Sequence, residues 1–90
     1  MASSIVTVQT AVGLHARPAA LIADAAGRFH DEVSLTLVGE DTEPADASSA
    51  LMIMALGAQR GDRIRVESPN QRAVTVIAEL IASDLDASQG

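Results

Sequence analysis

The sequence predicts an α+β open-faced β-sandwich, a four-stranded antiparallel sheet covered by three helices on one face, in the order β-α-β-β-α-β-α. Three observations carry this. Two segments, Glu32 to Val38 and Asp62 to Glu67, alternate apolar and polar residues, as a strand does when one face meets a core and the other meets water. Two longer segments repeat their apolar residues at helical spacing. The elements also follow one another without a linker, repeat or low-complexity block, so residues 1–90 are read as one domain.

In chain order, Ile5-Val6-Thr7-Val8 is a short β-branched run that reads as the first strand, and Thr10 to Gly13 as the turn that closes it. Leu14, Pro18, Leu21, Ile22, Ala25, Ala26 and Phe29 then recur at helical spacing. Proline is tolerated only in a first helical turn, so Pro18 fixes the helix start at residues 15–17. In the next segment Val33, Leu35 and Leu37 point one way, with Ser34 and Thr36 opposite. Gly39-Glu40-Asp41 turns the chain into Thr42-Glu43-Pro44-Ala45, where the proline permits at most a short edge strand.

Asp46, Ser48 and Ser49 are all competent N-caps for the apolar run Ala50 to Leu56, which Gly57 can end. This is a second, short helix with more apolar faces than it can bury, so some of its side chains are expected at the surface. Asp62 to Glu67 is the last strand. Ser68-Pro69-Asn70-Gln71 carries a capping-box pattern with proline at the first helical position, and Val74, Ile77, Ala78, Ile81 and Leu85 form the buried stripe of the third helix.

Composition narrows the function. Twelve acidic against six basic residues leave a net charge of −6, which argues against a basic surface for nucleic acid. Cysteine is absent, and with it disulfides and thiolate metal ligands; the expected setting is reducing and cytoplasmic, and no 18-residue apolar run suggests membrane insertion. Every basic residue is arginine, which removes a phosphate-loop lysine and a Schiff-base lysine together. Phe29 is the one aromatic, and much of the 48% hydrophobic content is alanine, so the core must be thin and a deep substrate cavity is not expected. A carrier or binding module fits better than a self-sufficient enzyme.

The chemistry concentrates at Gly13-Leu14-His15-Ala16-Arg17-Pro18, which sets a histidine at the mouth of a proline-fixed helix. First-turn N–H groups form a cradle for anions, and the helix dipole favours negative charge there by about 0.3–1 kcal/mol. An imidazole placed there can act as a nucleophile toward phosphorus. Arg17 can fork hydrogen bonds to phosphate oxygens, and Pro18 has no N–H to compete for them. These residues alone leave phosphate binding and phosphate transfer both open.

Gly13-Leu14-His15-Ala16-Arg17-Pro18-Ala19 resembles the phosphorylation-site motif of HPr, the histidine-containing phosphocarrier of the bacterial sugar phosphotransferase system. Ser49 to Gly57 resembles the family's second motif, and length and element order agree over essentially the whole chain. The resemblance implies that His15 accepts a phosphoryl group on Nδ1 from phospho-enzyme I, itself charged by phosphoenolpyruvate, and passes it to enzyme IIA components for sugar uptake. Arg17 would steady the phosphate, together with the backbone amides of Ala16 and Arg17. No metal or organic cofactor is implied, and the protein would be a monomeric, cytoplasmic covalent intermediate in a relay rather than a turnover enzyme.

Ser49 falls on the family's regulatory serine, the target of an ATP-dependent HPr kinase in one group of Gram-positive bacteria, although an N-cap role is sufficient to explain it. Ala50, Leu51 and Met54 fall where relatives dock enzyme I and enzyme IIA, and methionine suits a surface that must fit several partners. His30 matches no family site and has no metal-spaced partner, so it is expected at the surface after the first helix. Two rivals remain at this level: a paralogue in a nitrogen-regulatory phosphotransferase chain, and a binding-only regulator. His15 argues against the second.

Overall fold

The computed structural model describes residues 1–10, 13–41 and 43–83. The elements are β1 (Ala2–Thr7), α1 (Ala16–Ala26), β2 (Ser34–Leu37), β3 (Ala45–Asp46), α2 (Ala50–Ala55), β4 (Arg63–Ser68) and α3 (Gln71–Ala82). All strand pairs are antiparallel, in the spatial order β1-β4-β2-β3.

This order explains why the helices share a face. β1 and β2 run parallel with β4 between them, and α1 is their crossover; β3 and β4 run parallel with β2 between them, and α2 is theirs. The two crossovers move in opposite directions across the sheet from strands of opposite direction. Right-handed connections therefore put both helices on the same side. α3 follows β4 directly and packs across β4 and β1 on that side.

Alternation along the strands matches the layers. On β4, Ile64, Val66 and Ser68 are buried, while Arg63, Arg65 and Glu67 lie on the other face. Leu35 and Leu37 of β2 join Ile64 and Val66, against Ile22 of α1, Ile53 of α2 and Ile77 and Ile81 of α3. Fully buried alanines, Ala19, Ala47 and Ala73, allow close approach of helix and sheet and account for the thin core.

Several expectations are corrected. β1 starts at Ala2 rather than Ile5, because its register with β4 pairs Ala2 with Ser68 and carries Ser3 and Ser4 into the ladder. The stripe of α1 is narrower than read: Pro18, Ala19, Ile22 and Ala26 are buried, whereas Leu21 sits beside that stripe at 41% exposure. Phe29 lies past the helix end. Pro69 precedes the N-cap of α3 instead of opening the helix. The cap is Asn70, whose Oδ1 accepts from the amides of Arg72 at 2.9 Å and Ala73 at 3.4 Å. Ser68 cannot cap because it belongs to β4; its Oγ instead accepts the Asn70 amide at 3.1 Å. The edge strand after Pro44 does form, with only two residues. Ala11, Val12, Thr42 and Leu85, which entered the turn, edge-strand and stripe readings, lie outside the described residues.

Candidate functional site

α1 begins where the sequence places it, with His15 as N-cap in extended backbone and its carbonyl accepting the Ala19 amide at 2.9 Å. The imidazole makes no capping bond to the helix. His15, Ala16 and Arg17 are exposed, while Leu14 before them and Pro18 and Ala19 after them are buried. A short exposed segment is thus held out of the protein by anchors on both sides. Pro18 contributes no N–H, so the first-turn amides that follow the cap are those of Ala16 and Arg17.

The loop leading into α1 is clasped to the chain leaving α2. Gly13 donates its amide to the Thr10 carbonyl at 3.0 Å, and Leu14 donates to the Ala58 carbonyl at 3.0 Å. Gly13 adopts φ +81°, and a Cβ there would lie 2.5 Å from the Ala58 oxygen, so any side chain would push the two segments apart. As a result His15 opens onto a shallow cleft of about 250 Å³ shared with Leu14, Met54, Gly57, Ala58 and Gln59. That is smaller than an ordinary small-molecule pocket, as expected if the reacting group arrives on a macromolecule.

α2 borders this cleft. Its N-cap is Ser49, whose Oγ accepts the Met52 amide at 3.3 Å. Of the three candidate caps, Asp46 is engaged elsewhere: its Oδ1 accepts the Ser48 hydroxyl at 2.7 Å and the Ser48 amide at 2.9 Å. The hydroxyl first and the amide second hold its carboxyl below the usual range, against a smaller opposing effect of burial. In the helix only Ile53 is buried, while Leu51 is 77% and Met52 43% exposed. Met54 and Ala50 are half-buried. The structure therefore brings His15 and Met54 to one cleft, with Leu51 and Ala50 on the adjoining helix, and places Arg17 in the first turn of α1, outside the cleft lining.

His30 is exposed, away from this cleft. Among the described residues no group of three or more His, Cys, Asp or Glu could hold a metal ion, and no helix is long and apolar enough to cross a membrane. Sequence reasoning did not anticipate the Ala58 clasp or Gln59 at the cleft. The available signal was a second glycine, Gly57 at φ +69°, ending α2 and turning the chain toward Gly13.

Comparison with known proteins agrees with this arrangement. The family model described as "PTS HPr component phosphorylation site" matches residues 2–83. The phosphocarrier protein HPr of Streptomyces coelicolor is 37% identical over 89 residues, covering 96% of this chain and 94% of that protein. The multiphosphoryl transfer protein of Salmonella typhimurium is 30% identical over 76 residues, and there the matched region is 20% of the longer relative. Among solved structures, HPr-C-His from Thermoanaerobacter tengcongensis superposes with a TM-score of 0.83 at 27% identity, covering 96% of this chain and 97% of that one. On the family match and the near full-length likeness to a known phosphocarrier, the chain belongs to the HPr family of the phosphotransferase system.

Proposed function

We propose that residues 1–90 act as a single phosphocarrier domain in which His15 is the covalent acceptor. The observation that carries this reading is the exposed His15 at the N-cap of α1, inside the matched family segment. Nδ1 of His15 attacks the phosphorus of phosphohistidine on enzyme I; the new N–P bond forms as the donor N–P bond breaks, and the donor imidazole leaves. The same exchange in the opposite sense delivers the phosphoryl group to a histidine of an enzyme IIA. Such transfer asks the protein mainly for positioning and charge stabilisation, which the first-turn amides of Ala16 and Arg17 and the Arg17 guanidinium supply.

Ala50, Leu51 and Met54 are the docking surface in this account, lying beside the cleft that holds His15. The setting is the bacterial cytoplasm and the cargo is destined for sugar uptake. Ser49 caps α2, and its phosphorylation by an HPr kinase would place charge at that surface. The test is a relay reconstituted from enzyme I, phosphoenolpyruvate carrying labelled phosphorus, this protein and an enzyme IIA. Label should appear first on this protein in acid-labile, base-stable form and then on enzyme IIA. Label reaching enzyme IIA equally fast without this protein would reject the reading.

A further inference from the structure

The two edges of the sheet are treated differently. β3 forms one edge and is blunted in three ways: it has two residues, Pro44 precedes it, and exposed Asp46 ends it. β1 forms the other with six residues, Ala-Ser-Ser-Ile-Val-Thr, holding no charge, proline or glycine. Its hydrogen-bonding parity is fixed by the Val8 amide, which donates to the Asp62 carbonyl at 2.8 Å on the β4 side. Ser4 and Val6 share that parity, so the amides and carbonyls of Ser3, Ile5 and Thr7 point away from the sheet. Among the described residues no strand pairs with that edge.

An open groove of about 340 Å³ runs beside it, between Ser3, Ser4 and Val6 of β1 and Val74, Ala78 and Glu79 of α3. None of its lining residues belongs to the cleft at His15. An open edge with a parallel groove under a helix is the arrangement in which an extended peptide adds as a strand, its backbone bonding the edge and alternate side chains entering the groove. Charge selects the occupant. Glu79 is the one charged residue lining the groove, on a chain of net charge −6. A second copy would bring Glu79 against Glu79 and add to that repulsion, whereas a cationic segment would be attracted.

We propose that the groove between the β1 edge and α3 receives an extended, positively charged segment of a partner protein, which adds to the sheet as a fifth strand. The site is separate from the His15 face, so a partner could be held there while phosphoryl transfer proceeds.

The probe is a seven-residue peptide of alternating valine and threonine with arginine at both ends, titrated into isotope-labelled protein and followed by NMR and amide exchange. Saturable binding with slowed exchange at Ser3, Ile5 and Thr7, but not at Ser4 and Val6, is expected. Ile5→Pro removes an outward amide without touching the β4 ladder and should weaken binding about tenfold. Glu79→Arg, on the exposed face of α3, should also weaken it, as should glutamate in place of the peptide's arginines, while acceptance of phosphate at His15 stays unchanged. Lack of binding at millimolar peptide, shifts centred on Leu51 instead of β1, or equal affinity for the acidic peptide would overturn the proposal. So would self-association that protects the same amides without peptide.

Discussion

α2 and α3 belong to the same layer yet use their apolar residues in opposite ways. α3 has twelve residues and buries Ala73, Val74, Ile77, Ala78 and Ile81. α2 has six and buries only Ile53, leaving Leu51 and Met52 exposed. Six residues are too few to make a stable helix alone, so α2 exists because Ser49 caps it, Gly57 turns out of it and Ile53 anchors it. The difference teaches that apolar content measures stability in one helix and, on the docking role proposed above, recognition in the other.

The widest separation should appear on truncation. Ile77→Ala is expected to cost about 2–5 kcal/mol, much of the stability of a domain this small, whereas Leu51→Ala should stay within about 0.5 kcal/mol. Urea unfolding of the two variants measures it, and similar losses would abolish the contrast. Next in size, Arg17→Ala should leave unfolding unchanged and slow phosphoryl acceptance, by an amount equivalent to about 1.5–3 kcal/mol of lost charge-assisted hydrogen bonding. Rapid-quench kinetics with phospho-enzyme I would reveal it.

Met54→Asp, in the cleft beside His15, should weaken complexes with enzyme I and enzyme IIA together, each by about 1–3 kcal/mol, because a carboxylate must be desolvated at a shared surface. Calorimetric loss of one complex alone would mean two separate docking faces.

Smaller effects test the caps. Ser49→Ala should cost about 1 kcal/mol by thermal unfolding, while Ser49→Asp should match or exceed the parent in stability yet accept phosphate more slowly. If the Asp variant takes phosphate at the parent rate at every concentration, negative charge at Ser49 is no switch. The smallest effect concerns Asp46, whose carboxyl is depressed by the Ser48 hydroxyl and amide. A depressed folded-state value contributes stability above the unfolded-state value and loses it as pH falls through the folded-state value. Because Asp46 is exposed, Ser48→Ala should be only slightly less stable at neutral pH, and the difference should close in acid.

Much of this was legible before any coordinates. Alternation in β2 and β4 named the buried Leu35, Leu37, Ile64 and Val66, the spacing of Val74, Ile77, Ala78 and Ile81 named the stripe of α3, and Pro18 fixed the start of α1. Features set by a partner far along the chain were not. Ser3 and Ser4 enter β1 only because β4 is there to pair with them, and the Gly13–Ala58 approach joins segments from opposite ends of the α1–α2 pair. Local rules also competed at α3: serine, proline and asparagine all suited its start, and membership of Ser68 in the buried ladder decided for Asn70. At the site, the place of His15 and Arg17 at the mouth of α1 followed from the motif, whereas Met54 joining the same cleft depends on tertiary packing.

The chain has only two histidines, His15 and His30, and both are exposed. The central claim therefore reduces to which of them carries phosphate. The protein should be incubated with enzyme I and phosphoenolpyruvate, digested at alkaline pH, and the phosphoryl group located by fragmentation mass spectrometry. The account predicts one phosphoryl group, on His15, which is lost in His15→Ala and retained in His30→Ala. Phosphate on His30, or undiminished labelling of the His15→Ala protein, would contradict it.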